Sequence, residues 1–440
     1  MTSPAAETPT FNLKAVVQET GLKPDTLRAW ERRYGLPSPA RSSGKHRLYS
    51  QRDIDIIKWL ITRQDEGLTI SRAVDLWHKL AGEGQDPLKA VPTAPPPPRA
   101  IAPAQAAGGA LPDLATAWME ACLAFDETRG ENILSQAFAL YSPETVALDI
   151  IRPAIVQIGE GWHAGHVTAQ QEHFASALAL RRLDAMVAAA PQPFRTQRIL
   201  VGCPPEELHT FSPMLITFLL RRHGWPTLFL GANVPLTRFS QTIQQVRPQL
   251  VILSAQLLHT AATLLDMAEM LQKEGIPLAF GGLVFSDIPE LAARIPGHYL
   301  GDTLDNAVTR IEHLLAHPTP AGATPPTSPA MIEALRHFEE QRPLIGARVW
   351  QILKPNGGHI SPAHLTIANT HLGQNIAAAL RLGDMSFLSH DLSWIDALLA
   401  ERDLPTAALR HYLRAYAQAA SAHLDARAAA VLDWFDTLLS

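Results

Sequence analysis

His209 stands in a short loop between two apolar runs. Residues 198–203 (RILVGC) read as a buried strand and residues 212–223 as an apolar helix, so the imidazole falls at a strand's carboxyl end. In open parallel sheets that edge collects ligands, and a soft nitrogen donor there is placed to ligate a metal or grip a cofactor. Taken alone, the residue reads first as an ordinary polar loop histidine. A second constellation lies upstream, where Trp162 is followed after nine residues by Glu172 and His173. On residue type this is a buried tryptophan beside a surface ion pair. A third is basic: from Lys23 to Arg47 seven basic residues (Lys23, Arg28, Arg32, Arg33, Arg41, Lys45, Arg47) oppose Asp25 and Glu31, an electrostatic footprint for phosphate.

The elements that must position these residues follow from pattern. From residue 198 to 315 the runs RILVGC, TLFLGA, LVILSA, PLAFGG and HYLG alternate with amphipathic helices, which predicts five parallel strands in a doubly wound α/β sheet. Gly231, Ser254 and Gly281 then fall at strand ends on the same side as His209. Residues 113–192 are helical in period throughout, long enough for a four-helix bundle. Near the N-terminus, Asn12 can cap a helix that Gly21 ends. Pro24 and Asp25 open a second, arginine-rich helix that stops at Gly35, and a turn at Ser42–Gly44 marks a hairpin. Thr26, Arg28, Arg32 and Arg33 on that second helix could meet base edges and phosphate, with Arg41, Lys45 and Arg47 gripping from the hairpin. Leu27 and Trp30 read as core, and Tyr34 is left open between core and contact.

Segments rich in proline, alanine and glycine, 81–112 and 317–329, read as linkers. The expected organisation is therefore multidomain: a winged helix-turn-helix over 1–80, a helical cap bundle over 113–192, a flavodoxin-like α/β domain over 196–316, and an all-α domain over 330–440. The last is marked by Leu365, Leu372, Leu380, Phe387, Leu388, Leu392, Trp394 and Leu398, and reads first as a partner or dimer module. At 440 residues the chain has apolar content for several cores. Two cysteines, Cys122 and Cys203, are too few and too distant for a disulfide framework or zinc site, and no basic and apolar leader opens the chain. These features predict a cytoplasmic protein without a membrane span. The formal charge of −5 conceals the basic N-terminal segment.

TLRAWERRYGLPSPARSSGKHRLYSQRDI closely resembles the winged helix-turn-helix of MerR-family regulators, which implies double-stranded operator DNA as a partner. Glu207-Leu-His209-Thr-Phe-Ser212, Ser254-Ala-Gln256 and Gly281-Gly282 resemble, in order, the E/D-x-H-x-x-G, S-x-L and G-G segments of cobalamin-binding domains, with Ser212 in place of glycine and Gln256 in place of leucine. The resemblance implies that His209 ligates cobalt, that Ser254 contacts the displaced nucleotide tail, and that the glycines let the tail pass. Trp162, Glu172 and His173 resemble the W-x9-E-H motif of light-responsive regulators of the CarH type. There the bundle covers adenosylcobalamin: Trp162 would pack on the adenosyl group, Glu172 would hydrogen-bond it, and His173 would meet cobalt once it leaves. The implied function is a light-responsive, cobalamin-dependent transcriptional regulator, oligomeric as a dimer or tetramer and not an enzyme. Three alternatives stay open: a photocobilin-like photoreceptor holding biliverdin noncovalently in the C-terminal domain, a MerR-type regulator that does not use cobalamin, and a corrinoid methyl-transfer protein. Against the last stand the DNA reader and the lack of a Cys/His zinc cluster.

Overall fold

The computed structural model describes residues 8–41, 47–65, 70–82, 86–88, 110–304, 306–320, 322, 324–353, 362–389 and 406–440. They fall into two units, divided between Gly108 and Gly109. In the first, β1 (Phe11–Asn12) leads into α1 (Leu13–Thr20), whose N-terminus is capped by the Asn12 carboxamide accepting from the Ala15 N–H at 3.0 Å. Gly21, at φ +69°, closes that helix, and α2 (Pro24–Tyr34) opens on proline, which has no N–H to leave unpaired. The short strands β2 (Ala40–Arg41) and β3 (Arg47–Tyr49) pair antiparallel, and β1 pairs with β3 to make a three-stranded sheet ordered β1-β3-β2. β1 is two residues long, too short to show a period-2 pattern. α3 (Gln51–Asp65) and α4 (Ile70–Gly82) complete the unit over Val16, Leu27, Trp30, Tyr49, Ile54, Ile57, Leu60 and Trp77. Inside it, Glu31 accepts from the Tyr49 hydroxyl at 2.5 Å and from Arg47 Nε at 2.7 Å, so one carboxylate ties α2 to β3.

The second unit begins with a helical bundle: α5 (Leu111–Leu123), α6 (Glu127–Leu140), the single turn α7 (Pro143–Thr145), α8 (Arg152–His163) and α9 (Ala169–Ala188). Residues 146–151 between α7 and α8 are π-helical. Pro153, just past that stretch, has no N–H to donate into an i→i−4 ladder, which gives the wider turn a local reason. Trp118, Cys122, Leu134, Ile150, Ile151, Leu178 and Ala179 form the bundle's core.

Five parallel strands follow: β4 (Ile199–Gly202), β5 (Thr227–Phe229), β6 (Leu250–Ser254), β7 (Leu278–Gly281) and β8 (His298–Tyr299), in the order β5-β4-β6-β7-β8. The chain goes from β4 out to β5 and returns on β4's other side as β6, so the topological switch point lies between β4 and β6. α10 (Phe211–Arg222) and α14 (Ala307–Ala316) share one core cluster, which the bundle joins through Leu183 and Met186. α11 (Phe239–Val246), α12 (Leu258–Lys273) and α13 (Leu283–Asp287) contribute to another.

That second cluster continues without a break into the C-terminal helices α15 (Pro329–Leu353), α16 (Pro362–Leu382), α17 (Thr406–His423) and α18 (Ala429–Leu439). The all-α C-terminal part is not packed apart: Phe338, Leu372, Ile376, Tyr416 and Phe435 share one core with α12 and the sheet. Arg381 of α16 pairs with Asp266 and Glu269 of α12, both at 2.8 Å. Leu365, Leu372, Leu380, Phe387 and Leu388 are buried. Leu392, Trp394 and Leu398 lie outside the described residues. Among the described residues no helix is long and apolar enough to cross a membrane.

Candidate cofactor site and nucleic-acid face

β4 delivers its chain to the switch point through a loop that the sequence bends deliberately. Pro204 and Pro205 leave the strand, and Glu206 takes φ +68°, a left-handed conformation that residues with a side chain adopt at a cost. Asn233, itself at φ +50°, braces the bend: its carboxamide accepts the Glu206 N–H and its own N–H donates to Glu207 O, both at 2.9 Å. Glu207 then turns fully inward, while Leu208, 69 % exposed, and His209 turn out.

The Glu207 carboxylate has four donors. Oε1 accepts from the His209 N–H at 2.9 Å and from His209 Nδ1 at 2.6 Å; Oε2 accepts from the Gln256 N–H and the Thr260 hydroxyl, each at 2.7 Å. Burial alone would raise its pKa, but the hydrogen bonds and charge of His209, helped by the Gln256 N–H, outweigh burial and hold it below the ordinary value. Reciprocally, the bond to Glu207 raises the His209 pKa against desolvation, and Glu172 of the bundle adds to the rise. With Nδ1 spent on the carboxylate, Nε2 is the outward nitrogen and makes no hydrogen bond among the described residues. The side chain is 59 % exposed. A carboxylate that fixes one imidazole nitrogen and leaves the other unbonded is a common arrangement for a metal-ligating histidine. Glu207 itself is fully buried, and its contacts are with His209, Gln256 and Thr260.

The neighbouring strand ends are joined by Gln256. Its Nε2 donates to Ser254 Oγ at 3.0 Å, its Oε1 accepts the Leu283 N–H at 3.0 Å, and its own N–H reaches Glu207. A leucine here would supply only the last bond. Gly282 sits at φ +125°, where a Cβ would lie 1.8 Å from Ala255 O, so only glycine fits. That requirement is local to the chain. At Gly281 a Cβ would meet nothing within 4 Å, so the side of β7's end that it faces is open. Ser212 is half-buried in the first turn of α10.

From the bundle, Trp162 is half-buried in the last turn of α8, its ring 4.9 Å from His163 and packed on the bundle core. Thr168 and Gln171 cap α9 reciprocally and so fix its first turn. In that turn Glu172 accepts from the Ser176 hydroxyl and meets His173 Nδ1, each at 2.6 Å. His173 is 82 % exposed. The structure thus brings Glu172 within electrostatic reach of His209, while His173 projects to solvent.

Thr260, Asn233 and the exposed Leu208 and Leu283 were not singled out by sequence. The first two act through contacts remote in the chain, and only the two leucines beside His209 and Gly282 carried a signal, apolar residues at loop positions.

In the first unit Arg28, Arg32 and Arg33 are exposed on α2, as is Arg41 on β2; Thr26 is half-buried. Arg28 pairs with Asp25 at 3.3 Å, and Arg33 lies over the Tyr34 ring at 5.4 Å. Arg47 departs from a simple phosphate contact, since its Nε is committed to Glu31. Tyr34 donates to or accepts from Ser71 at 3.2 Å and packs against the core. Lys45 lies outside the described residues.

A family model described as MerR HTH family regulatory protein matches residues 11–79, and two described as B12 binding domain match residues 114–186 and 197–304. The chain is 28 % identical over 296 residues to the HTH-type transcriptional repressor CarH of Myxococcus xanthus, covering 66 % of this chain and 94 % of the relative. It is 27 % identical over 247 residues to the repressor CarA of the same organism, covering 56 % and 76 %. Among solved structures, the monomethylamine corrinoid protein of Methanosarcina barkeri aligns at 13 % identity and TM-score 0.41, over 46 % of this chain and all of that one.

Proposed function

We propose that this chain, a CarH-like regulator that joins a MerR-type reader to a cobalamin-binding module, controls transcription from operator DNA in response to adenosylcobalamin and light. The observation that carries the cobalamin reading is His209, with Nδ1 held by a buried carboxylate and Nε2 turned outward at the switch point. Its imidazole would hold cobalt through a nitrogen. Ser254 and the open side of Gly281 would receive the nucleotide tail, with Gln256 and Ser212 shaping that groove. Bound adenosylcobalamin would supply a light-labile cobalt–carbon bond. Trp162 and Glu172 would hold the adenosyl group from the bundle, and exposed His173, next to Glu172, would offer a further nitrogen to cobalt.

In this reading the output is assembly. A bundle that settles differently with and without the upper ligand biases oligomerisation, and several readers on one assembly raise affinity for a repeated operator through effective concentration. The similar proteins are named as repressors, which favours a regulator over an enzyme. A bilin in the C-terminal helices would be held noncovalently, since neither cysteine lies beyond Cys203.

The test is an absorption spectrum of the chain after incubation with adenosylcobalamin in darkness, compared with His209→Ala. The expected result is uptake by the wild type and a shifted spectrum with weaker binding in the variant. An unchanged spectrum and affinity would remove His209 from the ligand position, and bands beyond those of cobalamin in material taken directly from cells would report a second chromophore.

A further inference from the structure

The C-terminal helices reach the two chain segments that hold His209. At the first, Glu206 and Glu207 are consecutive and face opposite ways: Glu207 holds His209, while Glu206 Oε2 accepts from Gln374 Nε2 of α16 at 3.0 Å. At the second, His259 and Thr260 open α12 in the same manner. Thr260 donates to Glu207, while His259, only 9 % exposed, sets its ring edge-on to His371 of α16, 6.3 Å away. Both outward members therefore contact one helix. α16 is fixed in turn by Arg381 on Asp266 and Glu269, and by Leu372, Ile376, Ala379 and Leu380 in the core it shares with α12.

We propose that α16 is a structural part of the His209 site, and that Gln374 is a positioning residue that holds the left-handed bend at Glu206 and, through it, the histidine. The inference rests on His209 being the cofactor's nitrogen ligand. Asn233 fixes only the backbone side of the bend. Gln374 fixes its side chain, so without it the bend keeps only the Asn233 brace and Glu206 relaxes more readily toward the ordinary β or αR basins, carrying Glu207 with it. Whatever displaces α16 would reach the ligand histidine by both routes at once. The C-terminal helices are then a regulatory element acting on the ligand loop rather than a detached dimer module.

The test uses the full chain with Gln374→Ala and Gln374→Glu. In cofactor-free protein, amide hydrogen exchange over residues 206–210 should quicken roughly threefold for Gln374→Ala, as expected when a single exposed hydrogen bond to a charged group is lost. The effect should be larger for Gln374→Glu, which sets two carboxylates against each other, while the α9 amides stay at wild-type rates as the internal reference. On addition of adenosylcobalamin, the fraction of bound cofactor showing the His209-dependent spectrum, defined against His209→Ala, should fall in the same order. Wild-type exchange in both variants overturns the proposal. So does faster exchange with an unchanged His209-dependent fraction, because the histidine would then not depend on the bend. A wild-type chain that takes up no cobalamin overturns the reading of the site and this inference together, which separates that failure from the other two.

Discussion

Replacing Glu207 with glutamine keeps the shape of the site and removes its charge. The wild-type carboxylate is fully buried and accepts four hydrogen bonds, two on each oxygen. A glutamine oxygen turned toward His209 retains two of them, but its NH2 group then faces the Gln256 N–H and the Thr260 hydroxyl. The hydroxyl can rotate to accept, whereas the Gln256 N–H is a donor and stays buried without a partner. Leaving one buried donor unsatisfied costs about 1–3 kcal/mol, and weakening the charge-assisted bonds to His209 adds about 1 kcal/mol, so Glu207→Gln should lose roughly 2–4 kcal/mol of local stability. The sign of the pH dependence follows from the two shifts. Glu207 has a pKa below the ordinary 4.5, so its contribution is present above that value and lost as pH falls through the folded-state value. His209 has a pKa above the ordinary 6.5, so its contribution is present below 6.5 and lost as pH rises through the folded-state value. The variant should therefore be least stable relative to wild type between these limits, and the difference should shrink toward either extreme. Native-state hydrogen exchange of the β4 and α10 amides across pH 4 to 8 measures this. A loss below about 1 kcal/mol, or a difference indifferent to pH, would refute the claim that this carboxylate is the anchor of the loop.

Gly282→Ala should destabilise the sheet unit by several kcal/mol, on the order of 3 or more, because it combines φ +125° with a Cβ 1.8 Å from Ala255 O; a thermal midpoint within a degree of wild type would contradict the geometry. Arg32→Ala should weaken operator binding by roughly 1–3 kcal/mol and flatten its salt dependence, whereas Arg47→Ala should also lower the stability of the first unit through loss of its bond to Glu31. Binding titrations at several salt concentrations, with denaturation of the same proteins, separate the two effects. Trp162→Ala should uncouple light from assembly while leaving the His209-dependent spectrum intact, and His173→Ala should spare the initial response but shorten the life of its product. Light scattering after size exclusion, in darkness and after green light, reads both, and an identical mass in the two conditions for wild type would defeat the light-driven assembly reading.

What the sequence by itself determined is whatever depends on neighbours along the chain. Asn12, Gly21, Pro24 and Gly35 bound α1 and α2 through capping and backbone preference, which need no tertiary partner. The β-rich apolar runs mark all five strands of the sheet, and the rule for parallel sheets alone puts His209, Ser254 and Gly281 on one edge. The two-residue β1 and the π-helical turn at 146–151 escaped because neither is long enough to impose a period. Only the tertiary structure decided the environment of His209. Its carboxylate partner is two residues away, yet what buries that carboxylate and completes its bonding comes from Gln256 and Thr260, some fifty residues on, and the bend that aims it is braced by Asn233 and Gln374. A polar residue's partners are chosen by packing, and packing of α16 against α12 depends on apolar faces whose register no local pattern encodes. For the same reason the C-terminal helices read as a separate module in sequence, where a proline-rich stretch precedes them, and as part of the sheet's own core in the fold.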